Sequence, residues 1–140
     1  MTPTQPVGTA QPMEVHTSDS FARLALKLDG WVTGLNGIGY LALATVLDSF
    51  FGFDTAIQYP IGVFLLVYGA GVLVLGTRET INRNGLGLVC AANLGWVVLS
   101  LVVLVTGVLT PTEAGQIWLI LQALVVAAFA ALQYVGLKRM

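Results

Sequence analysis

Four long apolar stretches dominate the pattern of hydrophobic and polar positions along the chain. They run over about residues 29–47, 57–77, 85–109 and 114–137. Each is close to the roughly 20 residues that a helix needs to cross the hydrocarbon core of a bilayer. The apolar positions are continuous rather than alternating, which excludes the pattern of a membrane β-barrel. The sequence therefore predicts an all-α membrane protein with a bundle of four transmembrane helices.

The chain before the first stretch divides into two parts. Residues 1–20 are rich in Pro, Thr, Ser and Gln and have no apolar period, which is typical of a disordered tail. Apolar residues then recur at helical spacing, at Phe21, Leu24, Ala25 and Leu28. This spacing predicts a short N-terminal amphipathic helix at the membrane interface. The predicted organisation is a tail over 1–20 and a four-helix transmembrane domain over 21–140.

Composition supports a place in lipid. The chain is 56% hydrophobic and 9% charged, whereas an ordinary soluble domain is about 25% charged. The formal net charge of −1 has no basic excess that would favour nucleic acid as a partner. A single cysteine, Cys90, excludes an internal disulfide, and a single histidine, His16, excludes a bis-histidine haem site within one chain. We therefore expect the lipid bilayer as partner and no cofactor or metal.

The basic residues predict the orientation of the helices. All six fall on one side of the predicted membrane, at Arg23, Lys27, Arg78, Arg83, Lys138 and Arg139. The other two connections contain acids but no Lys or Arg. Because Lys and Arg are enriched in cytoplasmic loops, this asymmetry predicts a multi-pass protein of the plasma membrane with both termini in the cytoplasm.

Glycines in the first stretch, WVTGLNGIGY, spell G-x-x-G-x-G but do not predict a phosphate-binding loop. Such a loop needs a strand before it and a helix after it, and here a membrane span follows. Small residues also let helix backbones approach closely in lipid. We therefore interpret Gly30 and Gly34 as a helix-packing motif. The third stretch repeats this device with Gly87, Ala91 and Gly95.

Several amides and one tyrosine lie within the apolar stretches. Counting inward from the basic side places Asn36, Tyr68 and Asn93 at similar depth, so we expect these three side chains to meet. The fourth stretch adds Gln122 and Gln133. The first interpretation is a set of interhelical hydrogen bonds, each worth about 1 kcal/mol or less. The alternative is a polar lining for a small ligand, which is less favoured because no ionisable group joins the three.

Asp29 is the acid at the start of the polar face of the first stretch. Carboxylates at membrane depth often mark proton or cation relays. Counted from the sequence, however, Asp29 falls at the membrane boundary, within reach of Lys27 or water. We therefore interpret it as a boundary acid.

The order of these features resembles a group of small four-span integral membrane proteins of high-GC Gram-positive bacteria. Four segments carry the resemblance, LDGWVTGLNGIGYLAL, FLLVYGAGVLVLGTR, CAANLGWVVLSLVVL and WLILQALVVAAFAALQYVGLKR. They cover about residues 19–139. The resemblance implies a bacterial membrane protein of unknown activity, and it brings no catalytic residue with it.

Two functions remain from the sequence. The first is a non-enzymatic accessory component that packs against a larger membrane protein or a second copy of the chain. The alternative is a small transporter or ligand-binding bundle with a polar lining around Asn36, Tyr68 and Asn93. An enzyme is the least favoured class, because no cluster of reactive or metal-binding side chains is evident.

Overall fold

A computed structural model describes the backbone of residues 4–140 and the side chains from residue 20 onward. Its helices, in chain order, are α1 (Thr4–Ala42), α2 (Ala44–Phe51), α3 (Thr55–Thr77), α4 (Arg83–Thr106) and α5 (Glu113–Arg139). The predicted all-α class is confirmed. The predicted disordered tail covers residues 1–20. Because the side chains of residues 1–19 lie outside the described part of the chain, the disorder of this tail stays a prediction. The predicted amphipathic segment forms part of α1 and continues into the first span without a break.

Three helices, α3, α4 and α5, are each long and apolar enough to cross a membrane, and α1 with α2 supplies up to a fourth span. The mean hydropathy of the three single spans lies between 2.0 and 2.5. Their bounds agree within a few residues with the predicted stretches. The chain is therefore a helical, multi-pass membrane protein.

The first span differs from its prediction as one stretch over 29–47. It ends at Ala42, and α2 turns away from α1 by 92°. The backbone leaves the helical region at Leu43, where φ is −116° and ψ is 20°. Gln58 binds the carbonyl beyond the bend, since its Nε2 donates to the Ala44 oxygen at 3.0 Å. Neither proline nor glycine marks this position, so the sequence carried no sign of the bend.

The two ends of the bundle differ in chemistry. At one end, which we call the basic end, Arg23 donates to the carbonyls of Gly76, Arg78 and Glu79. Arg83 donates there to the carbonyl of Leu137 at 2.9 Å. At the opposite end, the α2 end, Thr112 binds the carbonyls of Phe50 and Phe51. Arginine side chains thus bind carbonyls at the C-terminal ends of α3 and α5.

An apolar cluster fills the bundle near its basic end. We call it the basal cluster; it consists of Ala22, Leu26, Val72, Ile81, Leu86 and Val89. Ala22, Leu26 and Leu86 are completely buried. The cluster joins α1, α3 and α4 and closes the basic end with hydrocarbon side chains.

Glycines allow α1 and α3 to pack backbone to backbone. A Cβ atom added at Gly69 would lie 2.6 Å from the amide nitrogen of Gly34 and 2.9 Å from the carbonyl oxygen of Gly30. A Cβ added at Gly37 would lie 2.8 Å from the carbonyl oxygen of Gly62. A side chain at Gly69 or Gly37 would therefore overlap the backbone of the neighbouring helix. The structure thus places the motif of Gly30 and Gly34 against α3.

Substitution of Gly69 tests this packing. We expect Gly69→Ala to lower the free energy of unfolding by about 1–3 kcal/mol, the usual cost of overpacking a tight contact. Gly71→Ala is the matched control on the same helix, because no atom lies within 4 Å of its added Cβ. Denaturation in detergent, followed by circular dichroism, measures both variants. Equal effects of the two substitutions would contradict the proposed close contact.

Candidate functional site

The carboxylate of Asp29 lies at the centre of a buried hydrogen-bond network. Its side chain is 1% exposed. Oδ1 accepts a hydrogen bond from Thr33 Oγ1 at 2.7 Å. Oδ2 accepts from Asn93 Nδ2 at 2.8 Å and from Gln133 Nε2 at 2.7 Å. The network therefore ties α1 to both α4 and α5.

The charge of Asp29 has no cationic partner in the part of the chain that the structure describes. All three donors are neutral hydroxyl or amide groups. Three hydrogen bonds thus converge on the two oxygens of one carboxyl group. A buried charge without a counter-ion is costly. Asp29 is thus a buried carboxyl group whose hydrogen-bond donors are all neutral.

This placement corrects the interpretation of Asp29 as a boundary acid in contact with water or Lys27. The side chain points between helices rather than to the boundary, whereas Lys27 lies beside Gly76. The sequence signal was present, since Asp29 begins a polar face that continues through Thr33. What the sequence did not show was how deeply the packing of α4 and α5 buries that face.

The predicted meeting of Asn36, Tyr68 and Asn93 occurs only in part. Tyr68 donates from its hydroxyl to Asn93 Oδ1 at 3.2 Å. Asn93 also donates to Gln133 Oε1 at 2.9 Å. Among the described residues, no hydrogen bond joins Asn36 to this network. Asn36 is seven residues beyond Asp29, which is about 10 Å further along a helix.

A second polar group lies nearer the α2 end. Trp96 donates from Nε1 to Gln122 Oε1 at 2.7 Å, and Gln122 donates from Nε2 to Ser100 Oγ at 2.8 Å. Trp118 donates from Nε1 to the hydroxyl of Tyr40 at 2.7 Å. The two predicted glutamines of α5 therefore belong to different groups, Gln133 to the Asp29 network and Gln122 to this one.

Three cavities lead from the Asp29 network toward the α2 end. The proximal cavity, about 50 Å³, is bordered by Thr33, Tyr68 and Asn93. The middle cavity, about 230 Å³, shares Thr33 and Trp96 with it. The distal cavity, about 100 Å³, shares Trp96, Tyr40 and Gln122 with the middle one. Neighbouring cavities thus have common walls, and the row ends one hydrogen bond from Asp29.

Asn36 has a place in this row rather than in the network. It borders the middle cavity together with Tyr40, Trp118 and Gln122. The structure thus gives Asn36 the lining position that the alternative interpretation assigned to all three residues. Tyr68 and Asn93 border the proximal cavity instead.

The predicted packing motif on α4 contacts little within this chain. A Cβ added at Gly87 has Leu137 at 3.9 Å as its nearest neighbour, and one added at Gly95 has no atom within 4 Å. Ala91 is exposed. This face of α4 therefore points away from the other helices.

Gln58 is a buried polar residue that the sequence analysis did not identify. Its side chain is 2% exposed. Nε2 donates to the carbonyls of Ala44 and Phe53, at 3.0 and 2.6 Å. Oε1 has no hydrogen-bond partner. The sequence signal for Gln58 is its amide side chain near the start of the apolar stretch over 57–77.

Comparisons of the chain with protein-family models, with curated proteins and with solved structures found no match. The resemblance to four-span proteins of high-GC Gram-positive bacteria stays a prediction. Any functional conclusion therefore rests on the geometry around Asp29 and on the cavities.

The Asp29 network predicts a specific pattern of stability. We expect Gln133→Leu to lower the free energy of unfolding by about 1–3 kcal/mol, because a buried carboxylate loses one of its donors. Gln116→Leu, on the exposed first turn of the same helix, should have little effect. Denaturation in detergent, with tryptophan fluorescence as the signal, measures both. Similar stability of the two variants would show that Gln133 does not support the carboxylate.

Proposed function

We propose that the protein is a small membrane transporter or ligand-binding bundle in which Asp29 takes up a proton or another cation. The burial of an unpaired carboxylate among neutral donors carries this proposal. A purely structural interhelical contact is served equally well by a neutral amide. A carboxylate adds a charge that favours uptake of a positive ion at this position.

Uptake of a proton at Asp29 changes the hydrogen bonds that join α1 to α4 and α5. A protonated carboxyl presents a donor and has less capacity as an acceptor. The donors of Thr33, Asn93 and Gln133 are all directed at the same carboxylate. Protonation therefore weakens at least one of these contacts and alters how α4 and α5 hold α1. This is the kind of local electrostatic change that biases a two-state membrane protein.

The middle cavity supplies space for a ligand beside the Asp29 network. Its volume of about 230 Å³ exceeds that of the other two cavities in the row. Thr33 borders the cavity and also donates to Asp29. A ligand in the cavity is therefore coupled to the carboxylate through a single hydroxyl group.

The proposed setting is the plasma membrane, with the basic end of the bundle in the cytoplasm. Clustering of Arg23, Arg78 and Arg83 at one end supports this orientation. The α2 end would then face the outside. No catalytic step is part of the proposal.

Replacement of Asp29 tests the proposed function. We expect proteoliposomes of the purified protein to move protons under an imposed membrane potential, as reported by an internal pH dye. Asp29→Asn should reduce the rate by about tenfold or more, because it removes the ionisable group at membrane depth. Glu79→Gln removes one negative charge from an exposed turn and should leave the rate unchanged. A rate that is zero in the unaltered protein, or the same in Asp29→Asn, would contradict the proposal.

The accessory role predicted from the sequence is the second candidate, and the outward face of α4 favours it. Ala91 is exposed, and no described atom lies within 4 Å of a Cβ added at Gly95. Small residues of this kind allow close contact with another membrane helix. On this proposal, the partner is a larger membrane protein or a second copy of the chain.

Purification from native membranes after mild cross-linking tests the accessory role. We expect a partner to co-purify with the tagged protein and to be lost in Gly95→Leu, because a bulky side chain blocks close approach. Gly71→Leu alters an exposed position on α3 and serves as the control. Recovery of the monomer alone would count against this role.

A further inference from the structure

A fourth cavity extends the row to the surface of the α2 end. We call it the vestibule; its volume is about 430 Å³. Asp48 and Asp54, both exposed, border it. Ile57 and Leu109 form a common wall between the vestibule and the distal cavity. Four cavities that share lining residues thus lie between the surface of the α2 end and Thr33, whose hydroxyl binds Asp29.

The charges along this row have one sign. Among the residues whose side chains the structure describes, no Lys or Arg borders any of the four cavities. Asp48 and Asp54 lie at the mouth, and Asp29 lies behind the last cavity. A cleft lined by one sign of charge concentrates ions of the opposite sign. The acids at the mouth therefore favour the entry of cations over anions, and the three inner cavities have uncharged linings.

Gln58, whose side chain borders the distal cavity, has an unused hydrogen-bond acceptor. Both protons of its Nε2 are used by the backbone carbonyls of Ala44 and Phe53. Because both neighbours are acceptors, the amide cannot be reversed, and its carbonyl oxygen is the group left over. That oxygen is buried without a donor, which is uncommon in native structures. A ligand that donates a hydrogen bond to this oxygen would therefore satisfy it.

Aromatic side chains form much of the remaining wall. Tyr40, Phe53 and Trp96 border the distal cavity. Trp118 and Phe129 continue this lining in the middle cavity. Aromatic faces attract organic cations and also accommodate short apolar groups. The walls thus suit an ion that has both a positive charge and a small hydrocarbon part.

The opposite side of Asp29 is closed. The basal cluster lies between the network and the basic end, and its members Leu26 and Leu86 are fully buried. Hydrocarbon packing of this kind excludes charged ligands. The row of cavities therefore leads to Asp29 from the α2 end.

We propose that the distal cavity is a binding site for small primary ammonium ions, which enter through the vestibule and donate a hydrogen bond to Gln58 Oε1. This inference rests on the proposed function and names the class of ligand. A volume of about 100 Å³ admits an ion with a short alkyl chain, since a water molecule takes about 30 Å³ in the liquid. From this site the ion passes along the aromatic walls toward the charge of Asp29.

Chemical modification of an introduced thiol tests the site directly. Ser100 borders the distal cavity and is buried, so Ser100→Cys places a thiol there with little change of shape. The background carries Cys90→Ala, which removes the native thiol. The protein in lipid nanodiscs is treated with aminoethyl methanethiosulfonate, a primary ammonium ion, or with the anionic sulfonatoethyl reagent. Gln116→Cys, at an exposed position, supplies the reference rates.

After division by the reference rates, the cationic reagent should modify Ser100→Cys faster than the anionic one by about tenfold or more, since the acids at the mouth of the row attract cations. Propylammonium should protect the thiol in a saturable manner, whereas propionate should not. Gln58→Leu should weaken the protection by about tenfold or more, because a hydrogen bond to a charged group is lost.

Each outcome bears on the inference. Equal relative rates for the two reagents, an unreactive thiol, or protection by propionate as good as that by propylammonium would overturn it. The Gln58→Leu variant also loses the contacts to Ala44 and Phe53, so the Ser100→Cys measurement decides the matter if that variant does not fold. Proton movement in proteoliposomes reports on the proposed function separately. If Asp29 controls proton movement but the labelling shows no preference for cations, the ammonium site fails and the proposed function stands.

Discussion

The buried negative charge of Asp29 is the constraint on which the arrangement of the bundle depends. Burial of a carboxylate requires that its lone pairs be met by donors. Asn93 and Gln133 meet this need from α4 and α5, and Thr33 meets it from within α1. Because each donor must lie within about 3 Å, the positions of three helices are set relative to one another. A change in the hydrogen bonds of Asp29 therefore affects how α1 packs against α4 and α5.

The close packing of α1 on α3 makes this network possible. Gly30 and Gly34 lie against α3, while Asp29 and Thr33, one position earlier in each case, lie toward α4 and α5. Adjacent helical residues differ by about 100° around the axis, so one helix presents two different faces. The glycine face packs α1 closely against α3, and the polar face carries the carboxyl group of Asp29 and the hydroxyl group of Thr33. Rigid placement of the helix backbone thus supports an internal charge.

Much of the fold was readable from the sequence, because long apolar runs and terminal basic residues follow directly from the physics of the bilayer. The spans of α3, α4 and α5 and the all-α class were predicted in this way. The bend at Leu43 was not, since a bend without proline or glycine depends on tertiary contacts such as that of Gln58 with Ala44. The burial of the Asp29 side chain between helices was not predicted either. Counting residues inward gives the position along one helix, but it does not show how neighbouring helices cover that position.

The two buried glutamines show how similar side chains take different roles. Gln133 donates to Asp29 and accepts from Asn93, so both ends of its amide are used within the chain. Gln58 uses only its nitrogen, and its oxygen stays without a donor. A buried oxygen without a hydrogen-bond donor lowers the stability of the protein, and a donor that binds the oxygen offsets this loss of stability. Because the two backbone carbonyls already hold the amide in place, binding orders little further structure. Gln133 therefore has its hydrogen bonds completed within the bundle, whereas Gln58 has one acceptor left over among the described residues.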